Sequence, residues 1–441
     1  MPRSLRSVHD RAILRLAVPA FGALVAEPLY VLADTAVVGH LGTPQLGGLA
    51  IANTVLVTLF ALFIFLAYGT TSVVSRLLGA GDERRAAHQS VQALWLAVAI
   101  GVVLVAMGQV LAGPLVDLLG ASDVVRPHAL LYLRISLFGV PAMLVVFAGT
   151  GYLRGLQNTR TPFVVAVATG LLNLGLELLL IYGLGFGLGA SALTTVLAQV
   201  VAAVAYVAMI LRAVRPHGVA MSPDRASLRQ LATVSRDLFV RTAALRLSLT
   251  LATAVAARIG TTELGAHQVA FELWSFLALA LDAIAIAAQA LIGSLLGAKR
   301  GDEAREAGRR MIEWGILGGL VVGALIAALQ PVLPAVFSDD PEVQHLAGFL
   351  LWWVAALQPV NAVVFVLDGV LIGAGDLRFL AWAMVGAGLV FVPAAGVVLA
   401  LGLGVGWLWA AIGLLMIARL VALSARFAGP RWIVLGLPTR A

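Results

Sequence analysis

The chain has 441 residues, of which 61% are hydrophobic and only 12% charged, with a mean hydropathy of +1.00 and a formal net charge of +7. Those values exclude a soluble globular domain and call for a lipid solvent. The lack of cysteine excludes a disulfide framework, a thiolate metal site and a cysteine nucleophile.

Apolar stretches of roughly 20 residues recur along the whole length, each enough to cross about 30 Å of hydrocarbon as a helix. The expectation is an all-α membrane protein with twelve transmembrane helices. The first six run near 12–38, 46–73, 91–112, 128–151, 162–182 and 188–211. The basic run before the first is followed by too long an apolar stretch, broken by Glu27 and Asp34, for a cleaved signal peptide. Within that helix Pro19 removes a backbone hydrogen bond and marks a hinge, and Pro28 adds a second weak point. Residues 212–236, with Pro, Ser and Arg, read as a cytoplasmic linker. The second set runs near 237–258, 264–294, 311–330, 343–373, 379–400 and 404–426. This defines an N-terminal lobe at 1–211 and a C-terminal lobe at 237–441.

Basic residues sort to one side, among them Arg3, Arg6, Arg76, Arg84, Arg85, Arg154, Arg160, Arg212, Arg225, Lys299, Arg300 and Arg378, so both termini are expected in the cytoplasm. Dispersed over short loops, these charges follow from topology and give no reason to expect nucleic acid as a partner. The bilayer is the expected partner, and a monomer the expected state.

The halves are repeats offset by 218 residues. Gly42, Thr43, Leu46 and Gly47 recur as Gly260, Thr261, Leu264 and Gly265; Pro141, Gly151 and Gly155 recur as Pro359, Gly369 and Gly373. After a two-residue insertion, Gly81, Asp82 and Glu83 pair with Gly301, Asp302 and Glu303. Six crossings return the chain to its starting side, so the lobes are parallel and related by a pseudo-twofold axis along the membrane normal.

Ionisable groups inside hydrocarbon are costly and so mark function. The acids are Glu27 and Asp34 on the first helix, Glu177 on the fifth, Glu272 and Asp282 on the eighth and Asp368 on the tenth. Asp34 and Glu177 each lie about five residues, roughly 7 Å, inside the outer ends of their helices. Asn173 is one turn below Glu177 on the same face, and Thr195 lies at a similar depth, so these four form one candidate cluster. Two neighbouring carboxylates in a low dielectric share a proton, as coupling requires; with Asn and Thr oxygens they also suit a sodium ion. Glu27 and Glu272 serve equally well as interhelical hydrogen-bonding groups, and Asp368 could simply reach the inner interface. Arg134, Arg241 and Arg246 either neutralise some of these acids or, for the last two, snorkel to the interface. The acids are not duplicated between halves, which implies divided labour.

Neither HExxH, GxSxG nor a Walker loop is present, the seven histidines are scattered, and neither a metal site, a cofactor nor an enzymatic role is expected.

The sequence resembles the multidrug and toxic compound extrusion (MATE) family, in its DinF-like branch. The likeness rests on Pro19 with the Asp34–Gly42 run, Leu78–Asp82, the Arg154–Pro162 run, Asn173 with Glu177, Arg236-Asp237, and the run from Leu367-Asp368. The resemblance implies two six-helix lobes, alternating access driven by protons or sodium ions, and organic cations or drugs as cargo, here cationic or zwitterionic amphiphiles. It also implies a first-lobe network at Asp34, Asn173, Glu177, Tyr132 and Thr195, with Glu177 standing where some relatives carry Asp. A bacterial inner-membrane location follows from the same likeness. The alternative is a flippase for lipid-linked precursors, which would use the same two-lobe architecture but a cationic cavity.

Overall fold

The computed structural model describes residues 8–436. Where lipid offers no hydrogen bonds, a chain this apolar satisfies its backbone internally, and the described residues form helices joined by short turns. The first six spans are α1 (Val8–Gly39), α2 (Thr43–Gly79), α3 (Glu83–Leu118), α4 (Arg126–Leu137 and Val140–Gly155), α5 (Arg160–Gly183) and α6 (Leu188–Val214). The other six are α7 (Arg225–Ile259), α8 (Thr261–Gly297), α9 (Gly301–Leu329), α10 (Pro341–Gly373), α11 (Leu377–Ala400) and α12 (Val405–Ala428). The two segments of α4 meet at a 48° bend and together make one of the twelve spans.

The expected start of the seventh helix is corrected. It begins at Arg225, not near 237, because Asp224 caps it: Ser227 N donates to Asp224 Oδ2 at 2.9 Å. Hydrogen bonding by Ser227 holds the Asp224 carboxyl below the usual carboxylate range. The connection before it is clasped to α3. Gln92 Nε2 donates to Ser222 O at 3.0 Å, Asp224 N donates to Gln92 Oε1 at 2.8 Å, and Trp95 Nε1 donates to Met221 O at 2.8 Å.

The chain divides into two compact units, one of residues 22–235, the other of residues 236–436 together with 8–21. The expected lobe boundary therefore shifts at the start of the chain. Arg310 Nε and Nη2 donate to the two oxygens of Asp10 at 2.7 and 2.9 Å, and Leu16 and Ala17 pack against Ala287 and Ala290. These contacts bind the beginning of α1 to the second unit, and the changeover in α1 falls two residues past Pro19.

The 218-residue repeat is written into packing. A Cβ on Gly151 would meet Ala67 O at 2.5 Å, and one on Gly369 would meet the equivalent Ala285 O. Gly101 is pressed against Pro141 as Gly319 is against Pro359. Small residues at these positions let helix backbones approach closely, the main source of packing energy between helices in lipid. One pairing is corrected: the left-handed residue ending α2 is Gly81 (φ 76°), and its counterpart ending α8 is Lys299 (φ 62°), not Gly301. Both close the same turn, with Asp82 N bonded to Leu77 O and Arg300 N to Leu295 O.

Candidate functional site

The first unit holds a half-open cavity of about 260 Å³, lined by its own residues. Asp34, Tyr30 and Glu27 reach it from α1, Tyr132 from α4, Asn173 from α5 and Thr195 from α6. These lie along one stripe of α1, since positions 27, 30 and 34 repeat at the spacing of a helix face.

Around Asp34 the structure assembles a buried polar group. Asp34 is 2% exposed, and Ser191 Oγ donates to its Oδ1 at 2.7 Å. Glu177 lies against Asp34 and Ser191 from behind the cavity wall. Both Glu177 oxygens, and both polar atoms of Asn173, are buried without a hydrogen-bond partner among the described residues. Tyr30 and Thr195 hydroxyls meet at 2.7 Å, Thr195 Oγ1 donates to Ser191 O at 3.1 Å, and Tyr132 lies against the side chains of Thr195 and Ser191. A buried polar group left unmatched costs roughly 1–3 kcal/mol. Two residues after Glu177, α5 widens into a π-helical turn over Leu179–Gly183, a distortion common at functional sites. Beside this group Val37, Ile181 and Ala190 form an apolar cluster, with Leu41, Leu174 and Leu180 packed against it.

Asp34, Glu177, Asn173, Thr195 and Tyr132 thus converge. Glu27 lies on the same cavity wall with an exposed side chain. The other three acids do not join them and belong to the second unit: Glu272 is exposed, Asp282 is half-buried and engaged, and Asp368 is buried. One oxygen of Asp368, Oδ2, accepts from both Arg241 Nη2 and Arg419 Nη2 at 2.5 Å. Asp368 therefore does not reach the inner interface as an isolated acid. It is the centre of a triad whose charge is formally +1.

The repeat explains the asymmetry. The residues 218 positions on from Asp34, Asn173, Glu177 and Ser191 are Ala252, Phe391, Ala395 and Trp409, at most 1% exposed. Apolar packing thus fills the second unit where the first holds its carboxylates. In reverse, Arg241 and Asp368 correspond to Ala23 and Thr150, which line the first unit's cavity.

Sequence reasoning missed Ser191, although it sits one turn from Thr195. It also missed Arg419, and it placed Arg154 and Arg76 in cytoplasmic loops. Both are buried at 6% and 2% exposure, and Arg154 lines the cavity.

A membrane bundle of twelve spans in repeated halves, with acids gathered around a cavity at membrane depth, defines the class as a two-lobe transporter. The chain belongs to the MatE family, that of the multidrug and toxic compound extrusion transporters, whose model matches residues 19–179 and 238–418. Within it the chain falls in the DinF-like branch. It is 30% identical over 429 residues to DNA damage-inducible protein F of Escherichia coli K12, covering 94% of this chain and 91% of that protein. It is 32% identical over 426 residues to Protein DETOXIFICATION 44, chloroplastic, of Arabidopsis thaliana, covering 93% and 80%. Among solved structures, MATE in the straight conformation superposes with a TM-score of 0.85 at 22% identity, covering 97% of this chain and 96% of that one. A MOP superfamily transporter from Pyrococcus furiosus gives the same values. These likenesses establish the two-lobe fold.

Proposed function

We propose that the chain is a secondary active exporter that extrudes organic cations, drugs or toxic metabolites in exchange for protons, with Asp34 and Glu177 as the coupling pair. The observation that carries this reading is the placement of two buried carboxylates together at one end of the cavity, Glu177 with both oxygens unmatched. Two negative charges side by side in a low dielectric favour a shared proton. A cation entering at Asp34 replaces that proton's charge, so substrate and proton exclude one another, which is the logic of antiport. Pro19 is the hinge through which α1 responds. The clean sorting of basic residues supports an inner-membrane orientation with both ends of the described chain in the cytoplasm.

Sodium is the competing ion, since Asp34, Glu177 and Asn173 also offer hard oxygen ligands. The flippase reading expects a cavity dominated by cations, whereas among the described residues lining this one the acids Glu27 and Asp34 outnumber Arg154.

The test is efflux of ethidium from proteoliposomes under an imposed pH or sodium gradient. Movement driven by the pH gradient and abolished in Asp34→Asn and Glu177→Gln is expected. Undiminished pH-driven efflux in both variants would remove the pair from the mechanism, and movement under sodium alone would reassign the ion.

A further inference from the structure

The π-helical turn of α5 follows directly on Glu177. In an unbroken α-helix Tyr182, five residues on, would point about 140° away from Glu177. The i→i+5 bond of a π-turn closes one residue later than an α-turn, which brings residues five apart round to the same side. The turn over Leu179–Gly183, closed by Leu184 N donating to Leu179 O at 3.0 Å, therefore lets α5 present both Glu177 and Tyr182 to α1. Glu177 lies against Asp34, and Tyr182 Oη donates to Val37 O at 3.3 Å, one turn along α1 from Asp34. Val37 falls in the last turn of α1, where carbonyls lack a helical partner, so the bond also serves that helix end.

Apolar contacts repeat the pattern. Val37 is three residues on from Asp34, Ile181 four on from Glu177 and Ala190 the neighbour of Ser191, and these three pack together. Each helix that brings Asp34, Glu177 or Ser191 to the site is thus held again within a turn of it. Tyr182 itself is exposed and is not among the residues lining the cavity. A tyrosine near a helix end is ordinarily an interfacial anchor. Here the backbone departs from α-helical geometry in a way that aims the hydroxyl at the helix carrying Asp34. Two carboxylates share a proton only within the narrow range of hydrogen-bond distance, so a contact that fixes how α5 meets α1 also fixes the pair.

Building on the export reading above, we propose that Tyr182 is a positioning residue for proton coupling. Its bond to Val37, which the π-turn makes possible, sets the approach of Glu177 to Asp34 without any contact with substrate.

The experiment compares the wild type with Tyr182→Phe, which removes the hydroxyl and keeps the ring at an exposed position. Difference infrared spectra of the purified full-length protein, taken on mixing with ethidium, follow the carboxylic-acid stretch that Glu177→Gln removes. In Tyr182→Phe that band should shift in frequency. The kcat of pH-driven ethidium efflux from proteoliposomes should fall about fivefold, the worth of one hydrogen bond, while KM stays unchanged. A band at the wild-type frequency overturns the proposal, and so does an unchanged kcat. A raised KM with kcat intact overturns it too, because that result would put Tyr182 in substrate binding. Absence in the wild type of any band that Glu177→Gln removes would instead overturn the reading of Asp34 and Glu177 as the coupling pair.

Discussion

Removing the carboxylate of Asp368 leaves two guanidiniums facing each other inside the second unit. Asp368 and Arg419 side chains are 8% and 4% exposed, and that of Arg241 is 12% exposed, so water compensates little. Breaking a buried ion pair by deleting one partner costs about 3–5 kcal/mol, chiefly because the orphaned charge stays buried. Here two guanidiniums lose a shared carboxylate acceptor at once, so Asp368→Ala belongs at the upper end of that range. For a unit of this size each kcal/mol moves the unfolding midpoint by roughly 2–4 °C, which puts the loss on the order of 10 °C. The assay is thermal unfolding of the purified protein in detergent, comparing wild type, Asp368→Ala, and Asp368→Ala combined with Arg241→Met and Arg419→Met. The combined variant removes every charge and should regain most of the loss, because apolar replacement of a buried ionic triad is often neutral or better. A drop below about 2 °C for Asp368→Ala, or no recovery in the combined variant, would refute the view that the triad is held by its internal charge balance.

Gly151→Val and Gly369→Val should each destabilise by about 1–3 kcal/mol through overpacking against the backbone at Ala67 and Ala285, seen as a fall in midpoint of several degrees. Gly39→Ala, with nothing within 4 Å of the added Cβ, is the matched control and should lose far less. Gln92→Leu removes both hydrogen bonds that clasp the connection to α3 and leaves the backbone at Ser222 and Asp224 unmatched, at about 1–3 kcal/mol. Limited trypsin cleavage after exposed Arg215 and Arg225 should then accelerate by about tenfold, and an unchanged rate would show that the clasp does not hold the segment.

The spans were legible because the hydrocarbon thickness fixes their length and lipid forbids other backbone structures. The starts of α3, α7 and α9 were misread: α3 begins at Glu83 and not near 91, α9 at Gly301 and not near 311, and α7 at Arg225. Their first turns are charged and carry no hydropathy signal, and the Asp224 cap that begins α7 is a local hydrogen-bond feature. The repeat was visible because Gly151 and Gly369 can hold no side chain, whereas Lys299 hides its equivalence to Gly81 by adopting a left-handed turn without being glycine. Asp34 and Glu177 announced themselves as charges where charge is expensive. Ser191 could not, since a hydroxyl in a helix usually returns to its own backbone, and its bond to Asp34 depends on the register between α1 and α6. Arg154 was hidden by its place at the end of α4, where an arginine is ordinarily a topology signal rather than a cavity wall.

The most direct test of the account is whether substrate binding expels a proton from Asp34 and Glu177. Purified protein in weakly buffered detergent solution, mixed with a saturating organic cation, should release protons into a pH-indicator dye, and Asp34→Asn should release none while sodium has no effect. Proton release that persists in Asp34→Asn, or cation binding that releases no proton and responds to sodium instead, would contradict the central claim.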